Sequence, residues 1–481
     1  MNHNNYDVLV IGSGPGGQSA ALQAAGLGKR VGLIERKPYL GGVSLQTGTI
    51  PSKALREAAY LTSRFAARGM RQSVQVHGRL DSSFLSEATE RKDRVVESQE
   101  TLLLNRLMAA GVTLLPGEAS FHDPHTLNLR RNGGGLEQLS ADVIILATGS
   151  RPRRPTEVPF DRERVLDSSS LLGLRRLPER LLVVGGGVIA CEFATMFAPL
   201  GVEVQLVDSH AHLLAYLDED IQHLLAQQML DMGIRLHLQT RVEAIRRDGE
   251  RVQLTTRDGQ LLETDVLLYA LGREPNYGAL NLAAAGLIAD DHGWVRLNEQ
   301  HQTRQPHIYI IGDLAGRPSL ASTAMEQGRH AVNHAFGVQR SQPAGPMPMA
   351  IYTIPELSYV GETERELREL GVAYVVGRAL FADTARGQII GEERGFMKLL
   401  VDRASRAIRG VHIIGESASE LIHVGQMAMA GGGGIDILAE SVFNYPTLAQ
   451  CYKSAALDCL RQLSSQAAAG MHSNRNTIDI Q

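Results

Sequence analysis

An unbroken apolar run, Tyr6 to Ile11 (YDVLVI), leads straight into the glycine-rich turn GSGPGG. Such a run, bounded by a turn signal, predicts a strand buried on both faces, followed by a helix. A second strand is expected to end at Glu35. The device recurs at Leu181 to Val184 (LLVV), where GGGVIA follows and the next strand ends at Asp208. Two more apolar runs end in small residues: VIIL before ATGSRP (Ala147 to Pro152), and IYIIGD (Ile308 to Asp313). Further on, GFMKLLVD (Gly395 to Asp402) and AIRGVHIIG (Ala407 to Gly415) read as a hairpin. A helix-like SASELIHVGQMAMA and a glycine break at Gly431 to Gly434 come after it. The expected fold is α/β: two doubly wound, Rossmann-like dinucleotide-binding domains and a C-terminal α+β unit. The first domain is read as discontinuous, residues 1–150 returning at 273–345 around a second at 151–272. The C-terminal unit is placed at 346–463, and 464–481, rich in Ser, Ala, Asn and Gln, is read as a flexible tail.

The glycines carry the first candidate chemistry. Gly12, Gly14 and Gly17 stand in the G-x-G-x-x-G register, and Gly185, Gly187 and Ala190 repeat it. Two small residues let the backbone turn and approach a pyrophosphate, the third lets helix and strand pack, and an acidic side chain receives ribose hydroxyls. Glu35 and Asp208 are those acids, each 23 residues beyond its first glycine. One such motif alone is weak; two in matching register are not. The carboxylate of Asp313 falls at another C-terminal sheet edge, where doubly wound folds bind ligands.

Composition narrows the class. At 481 residues, 43% hydrophobic and 21% charged, the chain is an ordinary globular one of more than one domain, with no apolar run long enough to span a bilayer. A net charge of −4 gives no footprint for nucleic acid. The N-terminus has no basic segment followed by an apolar one, so a cytoplasmic location is expected. Cys191, Cys451 and Cys459 have no metal-ligand spacing; no metal site is expected.

To about residue 463 the chain resembles the FAD-dependent pyridine nucleotide-disulfide oxidoreductases, on the two glycine motifs, GTIPSK (Gly48 to Lys53), IYIIGD and NYPTLAQ (Asn444 to Gln450). Within them it is most similar to the soluble, Si-specific transhydrogenases. The runs LDSSSLL (Leu166 to Leu172), LAYLDEDI (Leu214 to Ile221), PSLASTAMEQGR (Pro318 to Arg329) and IYTIPELSYVG (Ile351 to Gly361) carry that likeness. The resemblance implies FAD in the first domain, NAD(H) and NADP(H) as substrates at the second, and a C-terminal domain forming a homodimer or larger homo-oligomer. It makes Lys53 and Glu192 an ion pair beside the reactive flavin edge and places Tyr445 there from across the dimer. Its cofactor-binding set takes in Gly12, Gly14, Gly17, Glu35, Arg36, Gly42, Ser44, Thr49, Thr148, Gly149, Gly272, Arg273, Gly312 and Asp313 for FAD. For the nicotinamide nucleotide it takes in Gly185, Gly187, Ala190 and Asp208.

Departures from the family shape the expected chemistry. Disulfide-exchanging members carry two cysteines where Ser44 and Thr49 stand, and a His and Glu where Tyr445 and Gln450 stand. A hydroxyl forms no disulfide, a phenol is a poor base at neutral pH, and an amide does not ionise. Ser44 and Thr49 read as packing residues beside the flavin. The expected reaction is ping-pong transhydrogenation between NADPH and NAD through the flavin; the alternative is an NAD(P)H dehydrogenase passing electrons to quinones or dyes. Asp208 favours NAD, whereas His210 and His212, read as a solvated loop, are potential partners for the phosphate of NADP.

Overall fold

The structure is a computed structural model that describes residues 4–67, 82–339 and 345–475. The chain divides into two compact units. One comprises Met1–Ala58, Asp81–Leu177 and Leu268–Ser341; the other comprises Ala59–Leu80, Pro178–Leu267 and Gln342–Gln481.

The first unit is built on a six-stranded sheet whose centre is Asn5–Ile11. This strand pairs in parallel with Val31–Glu35 on one side and with Leu136–Leu146 on the other. Thr113–Phe121 and Ile308–Ile310 extend the parallel set. Val8, Leu9 and Val10 are wholly buried, which is why the run shows no polar alternation. VIIL is the last part of an eleven-residue strand. The first part of that strand pairs antiparallel with Thr126–Arg131. Its mixed sequence, LEQLSA, is what one wetted face produces, and sequence reading passed over it.

In the second unit, Arg235–His237, Glu203–Val207 and Arg180–Val184 pair in parallel. The hairpin expected at 395–415 forms from Phe396–Asp402 and Ile408–Ile414. It is the centre of an antiparallel sheet completed by Met349–Ile351, Leu357–Gly361 and Tyr374–Leu380. The helices Ala418–Ala430 and Gln450–Arg475 cover it, closing a core that includes Phe381, Val411, Ile413, Tyr452 and Cys459.

The stretch from Ser464, expected to be a flexible tail, is helical for most of its length. The helix begun at Gln450 runs on to Arg475, and 476–481 lie outside the described residues. Ala, Gln, Met and Arg are good helix formers, so the composition that resembled a coil also prolongs a helix. Among the described residues, no helix is long and apolar enough to cross a membrane.

Candidate functional site

The turn after the first strand is fixed by packing. A Cβ at Gly17 would fall 1.8 Å from the Gly12 carbonyl oxygen, so the helix Pro15–Gly26 sits directly on the turn and only hydrogen fits. At Gly14 nothing lies within 4 Å of the same position. Gly14 borders a cavity of about 360 Å³ whose lining includes Gly12, Ser13, Glu35, Arg36, Gly42 and Thr148. The helix starts at Gly14 with no side-chain cap and with proline in its first turn. Its leading N–H groups and dipole suit an anion.

Glu35 is oriented from three directions. Its Oε2 accepts from Ser13 N (3.0 Å) and Ser13 Oγ (2.7 Å), and its Oε1 from Lys37 N (2.9 Å). Ser13 Oγ in turn accepts from Gly41 N at 3.0 Å. Arg36 lines the cavity and pairs with Glu118 at 3.5 Å.

A second cavity, of about 110 Å³, shares Gly14, Val43 and Ala147 with the first. Ser44, Thr49, Gly312 and Asp313 all line it. Ser44 lies on the short helix Gly42–Gln46, and Thr49 opens the helix Thr49–Ala67. Lys53 follows one turn on, its Nζ 3.4 Å from Ser52 Oγ. Asp313 Oδ2 accepts from Ser150 Oγ (2.6 Å), which accepts from Arg273 Nε (2.8 Å). Arg273 Nη2 also holds the Ser150 carbonyl at 2.8 Å. Burial draws the Arg273 guanidinium below its ordinary value, and Asp313 and Asp167 oppose that pull. Gly312 N donates to Gln327 Oε1 at 2.7 Å. Gly149 and Gly272 immediately precede the strands Ser150–Pro152 and Arg273–Pro275, which pair antiparallel. Two adjoining cavities thus share a helix N-terminus, with Glu35 lining one and Asp313 the other, a pattern that fits a dinucleotide such as FAD.

The second unit repeats the turn. Gly187 starts the helix Val188–Phe197 without a side-chain cap and has open space where a Cβ would stand, and Ala190 is buried. Gly185 supplies the positive φ of +120°. Asp208 is 6% exposed, and its Oδ1 accepts from His210 N at 2.7 Å and lies 2.7 Å from His210 Nδ1. His210 is therefore tied to the acid rather than merely solvated; the His212 ring lies edge-on to that of His223. Glu192 is buried, and its Oε1 accepts from Tyr352 N at 2.9 Å. Lys53 belongs to the first unit and Glu192 to the second. Tyr445 is 74% exposed. All three cysteines are free and buried in the second unit. Burial pushes the thiols of Cys451 and Cys459 up to about 12, which suppresses thiolate.

Sequence reading missed Ser13, Ser150 and Gln327. ATGSRP contains Ser150, but its partner Asp313 is 163 residues away, and no local pattern announces that contact.

Comparison with known proteins adds independent findings. Residues 6–328 match the family model described as pyridine nucleotide-disulphide oxidoreductase, and residues 347–456 match its dimerisation domain. The soluble pyridine nucleotide transhydrogenase of Mycobacterium bovis is 41% identical over 460 residues, which cover 95% of this chain and 98% of that protein. The transhydrogenase of the same name from an Enterobacter species is 39% identical, covering 96% and 100%. Among solved structures, LpdA of Mycobacterium tuberculosis superposes with a TM-score of 0.86 at 29% identity, covering 94% of this chain and 99% of that one. The HOCl-induced flavoprotein disulfide reductase RclA of Escherichia coli gives a TM-score of 0.84 at 27% identity, with the same coverage.

Proposed function

Because the chain belongs to the pyridine nucleotide-disulphide oxidoreductase family, we propose that it is an FAD-dependent, Si-specific transhydrogenase, moving hydride between NADPH and NAD with no redox disulfide between flavin and acceptor. The observation that carries this reading is the pair of hydroxyls, Ser44 and Thr49, lining the same cavity as Gly312 and Asp313. The relatives named soluble pyridine nucleotide transhydrogenase support the choice of acceptor.

In this proposal Glu35, held by Ser13, receives the adenosine ribose hydroxyls of FAD. Gly14 and the helix behind it receive the pyrophosphate, and Asp313, set by Ser150 and Arg273, receives the ribityl chain. Bound FAD supplies acceptance of a hydride from one nicotinamide and its delivery to another. The chain's own residues supply position and field. Lys53 favours negative charge at the reactive edge. Tyr445, contributed across a homodimer, covers that edge against solvent with an apolar ring and a polar tip. The domain limits drawn from the sequence, 1–150 with 273–345, 151–272 and 346–463, belong to the same proposal.

With a single nucleotide unit besides the FAD unit, donor and acceptor use it in turn, which makes the kinetics ping-pong. Initial rates of thio-NAD reduction by NADPH are expected to give parallel double-reciprocal lines, and a soluble quinone assayed alongside is expected to be the poorer acceptor. Intersecting lines would overturn the shared site. Turnover with quinone alone would move the chain to the dehydrogenase reading.

A further inference from the structure

A transhydrogenase must admit two nucleotides that differ by one phosphate on the adenosine ribose, yet Asp208 is suited to only one of them. Resting on the proposed function, we propose that His210 and Asp208 act as one reader of adjustable charge, taking the 2′-hydroxyl of NAD when the pair is anionic and the 2′-phosphate of NADP when the pair is neutralised. His210 is then a specificity-determining residue that works partly through the acid.

The geometry sets up this division. The strand Glu203–Val207 delivers Asp208, whose backbone is fixed on both sides: its N donates to His237 O at 3.0 Å, and its O accepts from Thr240 N at 2.9 Å. The carboxylate lies against the second glycine of GGGVIA, with Oδ2 only 3.1 Å from where a Gly186 Cβ would stand. Oδ1 accepts from His210 N and lies beside His210 Nδ1, so the ring and the acid form one unit. The acid is buried, while the His210 side chain is 74% exposed. With a neutral ring the pair carries one negative charge and repels a phosphate. A proton taken from water brings the pair to zero and gives the phosphate an N–H donor.

The neighbouring titratable groups do not duplicate this role. His212, on the same loop, has its ring edge-on to His223 of the helix Glu219–Asp231. His237, on the adjacent strand, bonds Gln205 Oε1 at 3.0 Å; burial, and then Arg235, draw it below the ordinary imidazole range, towards neutrality. Arg235 is engaged by Glu203 at 2.8 Å. Cys191, on the helix after the turn, is kept as a thiol, first by burial and then by Glu192 and Asp208.

The test is calorimetric binding of adenosine 2′,5′-bisphosphate and of AMP to the FAD-loaded protein, so it needs no turnover. Affinities are measured between about pH 6 and pH 8, the range in which histidine changes charge, for wild type, His210→Gln and His210→Arg. The expected result is a bisphosphate-to-AMP affinity ratio that gains about three- to five-fold towards the acid end in wild type beyond any gain in His210→Gln, the effect of one exposed ion pair. The Gln variant cancels the titration of the phosphate itself. His210→Arg should hold the ratio high at every pH. Wild type and His210→Gln tracking each other, or an unmoved ratio in His210→Arg, would overturn the inference while leaving the transhydrogenase reading in place. Failure of wild type to bind either compound would overturn both.

Discussion

Gly14 and Gly17 are the same residue in the same turn, yet they answer to different constraints. Gly17 is closed by the protein's own backbone, whereas Gly14 has open space before it and an extended conformation that any residue adopts. Gly14→Ala is therefore expected to fold with an unfolding temperature close to that of wild-type apoprotein and to lose flavin. Gly17→Ala should destabilise the apoprotein itself by about 1–3 kcal/mol, the cost of overpacking. Calorimetry of both apoproteins and the flavin absorbance of both holoproteins check this, and equal stabilities would contradict it. Ser150→Ala removes the hydroxyl between Arg273 and Asp313. Flavin affinity should fall about ten-fold, the effect of one hydrogen bond to a charged group, as read from dissociation on dilution. The glycines and acids were legible in the sequence because their spacing is local. Ser13 and Ser150 were not, because a turn serine looks alike whether it orients a carboxylate or faces water.

Among the elements, the strand Phe396–Asp402 shows what periodicity alone leaves out. GFMKLLVD was legible as half of a hairpin, but Lys398 within it is 1% exposed and surrounded by acids. Its Nζ reaches Asp218 Oδ1 at 2.7 Å and Asp220 Oδ2 at 2.8 Å, and it also pairs with Glu364. Asp218 is at the same time the N-cap of the helix Glu219–Asp231, accepting from Asp220 N. The strand thus ties the helix that follows the second nucleotide motif to the C-terminal sheet. A lone lysine in an apolar run gives no sign of partners 180 residues away. Lys398→Met removes the buried cation that three acids share and should destabilise by about 3–5 kcal/mol, measured by denaturant unfolding. Burial alone would raise Asp218 and Asp220. It is outweighed by His412 and Lys398 at Asp218, and by Lys398 and Arg378 at Asp220, so both acids lie below the ordinary carboxylate range. Depressed carboxylates stabilise the fold above their unfolded value, near about pH 4, and that contribution is lost as pH falls through the folded values. The unfolding temperature should therefore drop on acidification below about pH 4 more steeply in wild type than in Asp218→Asn. Parallel curves would contradict the assignment.

For the whole molecule, the fold class was legible because each dinucleotide motif states its strand, turn and acid within a short stretch. The C-terminal sheet was legible only as one hairpin. Its outer strands, Met349–Ile351 and Tyr374–Leu380, are joined to it by pairings that no local pattern reveals. The proposed chemistry rests on a feature of the whole chain: hydroxyls at 44 and 49, and three thiols buried away from solvent. The most direct test is an anaerobic reductive titration of the holoprotein, counting electrons taken up per flavin and then adding NAD. The account predicts uptake of a single electron pair per flavin, returned in full to NAD. A second pair per flavin, accompanied by turnover of a dithiol substrate, would show a sulfur relay at work and contradict it.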